Sequence, residues 1–168
     1  MKTKLARIYQ MYLNLLAKLQ SPLLLILRLY WGWQFFITGK AHLMNLDQTT
    51  SFFQGLNIPM PKLNALLAGS TECVGGLLLL LGLGSRVITV PLVSTMVIAY
   101  LTADRDKVTG IFQNPDAFVT ATPFLFLLAV LIVLIFGPGK FSVDAVIGKI
   151  RRRRETETVV PDAEMSVS

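Results

Sequence analysis

Cysteine and histidine are almost missing from this 168-residue chain, with Cys73 and His42 the single copies. One thiol cannot close an internal disulfide, form a CxxC redox pair or build a thiolate site for metal or iron–sulfur clusters. One imidazole excludes bis-histidine haem ligation and any histidine-based metal cluster, so neither haem nor metal is expected. Charge is also scarce, at 15% of residues, and acids are the scarcer sign, with 10 Asp and Glu against 16 Lys and Arg. An ordinary soluble domain carries more charge and less apolar content than the 53% found here, where mean hydropathy reaches +0.58. What the chain has in abundance is long apolar runs.

Four such runs stand out, at residues 22–39, 63–84, 87–103 and 117–137. Each is long enough to cross ~30 Å of hydrocarbon as a helix, and lipid requires a helix because backbone polar groups must be satisfied within the segment. Ser21-Pro22 reads as N-cap and first residue of the first span. Pro91 and Pro123 lie inside the third and fourth spans and mark a local kink or an early turn. The expectation is an all-α, integral membrane four-helix bundle. With both termini cytoplasmic, 11 Lys and Arg fall inside and 4 outside, the sixteenth, Arg28, lying within the first span. That bias favours this orientation. The basic run 151–154 then reads as an orientation signal beside anionic lipid rather than a nucleic-acid site.

The flanking segments divide as 1–21, a 22–145 transmembrane domain, and a 146–168 tail that is basic and then acidic. Residues 4–19 place Leu5, Ile8, Tyr12, Leu15 and Leu19 opposite Lys4, Arg7, Asn14 and Lys18. This suggests an amphipathic helix in the cytoplasmic interface, with a plain extension of the first span as the alternative. No signal cleavage is expected. A short interfacial helix is expected at residues 47–56, and another amphipathic stretch opens at Ser142. The tail beyond Arg154 is expected to be disordered.

Glu72 is the acid that breaks the apolar pattern of the second span. A group of that kind at mid-membrane costs at least ~2.5–3.5 kcal/mol, so it faces other helices or a wet cavity. It shares a stripe of small residues with Ala65, Ala68, Gly69, Cys73 and Gly76, and the first span carries a comparable stripe at Arg28, Gly32, Phe35 and Gly39. Small residues at this spacing permit close approach, so those two faces are expected to meet. Two readings of Arg28 stand open, a direct pair with Glu72 or snorkelling to the headgroups. Polar side chains gather in the external half of the spans, around Gln34, Thr38, Thr71 and Thr102. Such asymmetry suits a pocket open to that face. It equally suits helices satisfying one another's hydrogen bonds. Cys73 reads as a packing residue and His42 as an interfacial hydrogen-bonder.

Three segments in order, ITGKAHL at 37–43, ECVGGLLLLLGLGSR at 72–86 and GPGKFSVD at 137–144, resemble the DoxX family of small four-helix membrane proteins. The family pattern carries onto Arg28, Gly39, Lys40, Glu72, Gly75 and Gly76, and its exit motif onto Gly137, Gly139, Ser142 and Asp144. The resemblance implies a multi-pass protein of the bacterial inner membrane. Some relatives are the small membrane subunit of thiosulfate:quinone oxidoreductase or are tied to thiol and sulfur stress.

Two functions follow as expectations. One is a redox-associated subunit, quinone- or sulfur/thiol-linked, with Glu72 as proton acceptor and Arg28, Trp31, Gln34, Lys40 and Tyr100 as ligand-binding residues. A quinone is the cofactor this would admit. The other is a non-catalytic scaffold or anchor for a partner enzyme. Expected partners are the lipid bilayer and a redox protein or further copies of the chain, with no nucleic acid. The sequence assigns no reaction.

Overall fold

In the computed structural model, residues 2–159 are described, with side chains from Lys4 to Glu155. The first helix, α1, runs unbroken over Lys2–Met44. At 1.5 Å per residue that is ~64 Å, twice a bilayer core. Pro22 therefore lies inside a helix and does not start one. Its ring removes one N–H and leaves one preceding carbonyl unpaired, which a long helix tolerates where that turn is exposed, as residues 18–20 are. The expected amphipathic segment and first span are thus one element, and residues 4–20 are exposed on every side.

A tight turn leads into α2, Leu46–Gly55, which matches the expected helix at 47–56. Then come α3, Pro61–Leu81, and α4, Ser85–Thr102. The two are joined by a turn in which Gly82 (φ +71°) and Gly84 (φ +57°) adopt left-handed conformations that a side chain would resist. Pro91 sits within α4 without ending it. Short helices α5, Arg105–Thr109, and α6, Pro115–Val119, precede α7, Thr122–Phe136. The fourth apolar run is therefore broken where one span was expected. Ala121 is extended (φ −63°, ψ 140°) ahead of Pro123 near the start of α7. Proline at a helix start needs no N–H partner, which makes this junction a natural helix start. The last helix, α8, covers Val143–Val159. It carries helix past Arg154, where disorder was expected, with Arg151 Nε 3.0 Å from Glu155 Oε1 one turn on. Residues 160–168 of the expected tail lie outside the described residues.

Among the described residues, two helices, α3 and α4, are long and apolar enough to cross a membrane, and α7 is a shorter apolar helix. α1, α3, α4 and α7 share a core of Phe35, Leu79, Leu92, Met96, Val130 and Val133. The closest pairing is α1 on α3. Here the two small-residue stripes meet as expected. A Cβ on Gly32 would lie 2.9 Å from Gly76 O, one on Gly76 would lie 2.7 Å from Gly32 O, and one on Gly39 would overlap Cys73 N. Only glycine lets the two backbones come this near.

Candidate functional site

Glu72 is buried, at 5% exposure, on the α1-facing side of α3. Its partner is His42, the imidazole Nδ1 lying 3.0 Å from Glu72 Oε2. The glycine contact at Gly39 brings α1 close enough for this, one turn before His42. Thr49 on α2 fixes that turn, its hydroxyl donating to the carbonyls of His42 (3.2 Å) and Asn45 (3.1 Å). Neither His42 Nδ1 nor Glu72 Oε2 has another hydrogen-bond partner. The pair is thus a close acid–base contact. His42 is the more exposed member, its side chain 37% accessible against 6% for Glu72.

The pair stands in the wall of a cavity of about 580 Å³ lined by α2, α3 and α4. Phe52, Phe53 and Leu56 come from α2, Leu67, Ala68 and Thr71 from α3, and Val90, Pro91, Ser94, Thr95 and Ile98 from α4. The volume is that of a small-molecule site, mostly apolar with a few convergent polar groups.

The other buried charge, Arg28, is 1% exposed and lies against Gly82, just past the C-terminal end of α3. Its Nη2 donates to the carbonyl of Phe141 at 2.7 Å. A Cβ on Gly82 would overlap its Nη1, so the glycine turn is shaped around the guanidinium. The α7–α8 connection closes the same corner. Asp144 accepts hydrogen bonds from Gly84 N (2.8 Å) and Ser85 N (3.0 Å), capping α4, and its own N–H donates to Gly82 O at 3.0 Å. Ser142 caps α8, its Oγ accepting from Ala145 N at 3.2 Å. Arg28 is in the lining of neither the Glu72 cavity nor the groove along the start of α1.

The DoxX family model matches residues 23–105. An uncharacterized membrane protein of Mycobacterium tuberculosis is 35% identical over 135 residues, covering 76% of this chain and 83% of that protein. The chain belongs to the DoxX family. No solved structure matches it.

Several DoxX-pattern residues now have physical roles. Gly39 and Gly76 set the α1–α3 spacing, and Gly75 leaves room for Leu92, whose Cδ2 would lie 2.9 Å from a Cβ there. The exit segment 137–144 lies beyond the matched span and acts as the clamp on Arg28 and the α3–α4 turn. Of the candidate ligand-binding residues, none lines the Glu72 cavity. Arg28 does not pair with Glu72, which closes the question left by the sequence. Trp31 packs edge-on against Phe126 of α7 at 4.9 Å. Tyr100 is buried, donates to Phe118 O at 2.8 Å and stacks on the Phe118 ring. Lys40 is exposed and Gln34 half-buried on α1. The residue sequence reasoning missed is His42. A signal was present: Arg28, Gly32, Phe35, Gly39 and His42 follow one another at steps of four, three, four and three. Extending the stripe by one step would have found it.

Proposed function

We propose that this DoxX protein is a four-helix bundle of the bacterial inner membrane, both termini cytoplasmic, that serves as a redox-associated subunit with a small-molecule pocket at Glu72 and His42. The observation that carries the reading is the buried acid–base pair opening on a roomy apolar cavity. Four apolar runs and the 11-to-4 distribution of basic residues support the topology.

The pocket suits a quinone better than an ion. Its walls are carbon-rich, and the Glu72–His42 pair sets an acid and a base among them that can hydrogen-bond a ring oxygen or hydroxyl. A quinone, when bound, supplies a two-electron, two-proton couple. The chain's own part is to bind it and to manage protons. Glu72 holds or releases a proton inside the protein, and His42 touches both Glu72 and the surroundings, which makes it the route by which that proton exchanges. Electrons come from a partner, because a single cysteine forms no redox-active pair and a single histidine builds no bis-histidine haem site.

The test is quinone binding to purified protein in detergent. Glu72→Gln and His42→Phe should each weaken binding by about tenfold, the loss expected when a hydrogen bond to a charged group is removed. Wild-type affinity in both would remove the pocket from consideration. A C-terminal fusion to a reporter active only in the periplasm should stay silent, and activity there would reverse the topology.

A second reading, a membrane anchor for a partner enzyme, is favoured by one observation. Residues 4–20 of α1 are exposed on all sides, with Leu5, Ile8, Tyr9 and Tyr12 lining an open apolar groove. Loss of a co-purifying enzyme on deleting residues 2–20, with quinone binding absent throughout, would favour this reading over the first.

A further inference from the structure

The cavity lies on the flank of the packed helices. The core side of α4 is marked by Thr89, Leu92, Met96 and Tyr100, all buried, whereas the cavity is lined by Val90, Pro91, Ser94, Thr95 and Ile98. Its rim is open, with Val90 55%, Ile98 54%, Leu67 53% and Phe52 55% exposed. Both α3 and α4 are helices able to cross a membrane. Apolar side chains exposed on such helices face hydrocarbon.

The polar groups along the wall are mostly spent. Ser94 Oγ donates to Val90 O (3.1 Å), Thr95 Oγ1 to Pro91 O (3.0 Å) and Thr102 Oγ1 to Ile98 O (2.7 Å). Asn64 Nδ2 donates to Pro59 O at 2.6 Å. A hydroxyl bonded back to its own helix presents little to a ligand. His42 and Glu72, with the Thr71 hydroxyl beside them, are the polar groups left to meet a ligand. From Val90 to Ala103 the lining extends along α4 for ~20 Å at helical rise.

We infer that this site takes a long-tailed amphiphile drawn sideways from the bilayer, its hydrogen-bonding head against Glu72 and His42 and its tail leaving past Leu67, Val90 and Ile98. The inference rests on the pocket reading above and narrows it. A small water-soluble thiol or thiosulfate has several polar atoms to satisfy and would meet few polar groups, one of them an acid, in a wall of carbon, an unfavourable exchange for its hydration. An amphiphile keeps its tail in hydrocarbon throughout and surrenders only the hydration of its head.

Full-length protein in detergent, titrated with a decyl-substituted benzoquinone, with the same ring lacking the chain, and with thiosulfate, separates the cases. Ile98→Trp places bulk on the exposed rim, where the fold is tolerant, and thermal unfolding checks that it is. The expected result is that Ile98→Trp weakens the decyl compound about tenfold, the scale of overpacking a filled groove, and leaves the bare ring unchanged. Thiosulfate should not bind. Equal effects of Ile98→Trp on both quinones, no effect on either, or tight binding of thiosulfate would overturn the inference. Failure of the underlying pocket reading looks different: Glu72→Gln would leave both quinones at wild-type affinity, or neither would bind the wild type.

Discussion

Arg28 and Glu72 are both charged, both buried and both set on the α1–α3 contact, yet they lie in opposite kinds of surroundings. Ten residues of α3, ~15 Å at helical rise, separate Glu72 from the turn that encloses Arg28. Around Arg28 the chain closes in, with the Phe141 carbonyl, the Gly82 backbone and the Asp144 clamp filling the space. Around Glu72 the chain opens, with one partner from α1 and a cavity beside it. Burial of a charge therefore marks importance, and room beside the charge marks where a ligand can act. Arg28 holds the fold.

The sharpest way to break this contrast is at Gly82. Gly82→Ala would drive a methyl into Arg28 Nη1 and impose a left-handed strain, and should destabilise by ~3 kcal/mol or more in thermal unfolding. Gly84→Ala shares the left-handed backbone with open space around it, and should lose only about 1 kcal/mol. Equal effects would mean that backbone conformation, not the Arg28 enclosure, sets the requirement. Next in size is Asp144→Ala, which removes the acceptor for two N–H groups at the start of α4 and should lower stability by about 1–2 kcal/mol. Ligand binding at Glu72 should survive in the fraction that remains folded.

Glu72→Gln should behave in the reverse manner, with a stability change under ~1 kcal/mol, because its partner is partly exposed, together with the loss of quinone binding described above. A collapse of stability with no binding change would make Glu72 a second Arg28. Smallest of all is the expected coupling between the two. Arg28→Met and Glu72→Gln should combine additively within ~0.5 kcal/mol, as sites without shared partners do. Recovery of stability in the double variant would reveal a linkage that the geometry lacks.

Much of this contrast was readable in the chain. Hydropathy located the helices, and small residues at steps of three and four located the α1–α3 contact, because both follow from local spacing. Glu72 on its small-residue stripe had to point at another helix. The helix start at Thr122 was less legible, since Pro123 suits an early turn and a true break alike. The continuous α1 was obscured by Ser21-Pro22, a pattern that normally starts helices and here sits inside one. The first apolar run covers residues 22–39, ending at Gly39. In the structure Lys40 projects outward and the helix continues to Met44, which carries His42 onto Glu72.

By itself the sequence determined the all-helical character, the membrane family and the pairing of two glycine-bearing faces, since lipid leaves the backbone no alternative and glycine spacing leaves the contact few registers. Only the tertiary structure decided who partners each buried charge. Arg28 is met by a main-chain carbonyl 113 residues away, and a carbonyl has no residue-type signature to read. Glu72 is met by a histidine whose approach depends on backbone contact at Gly39, and its cavity exists because α2 folds back over the flank of α3. Such placements depend on distances between segments remote in the chain, and those distances exist only once the helices have packed.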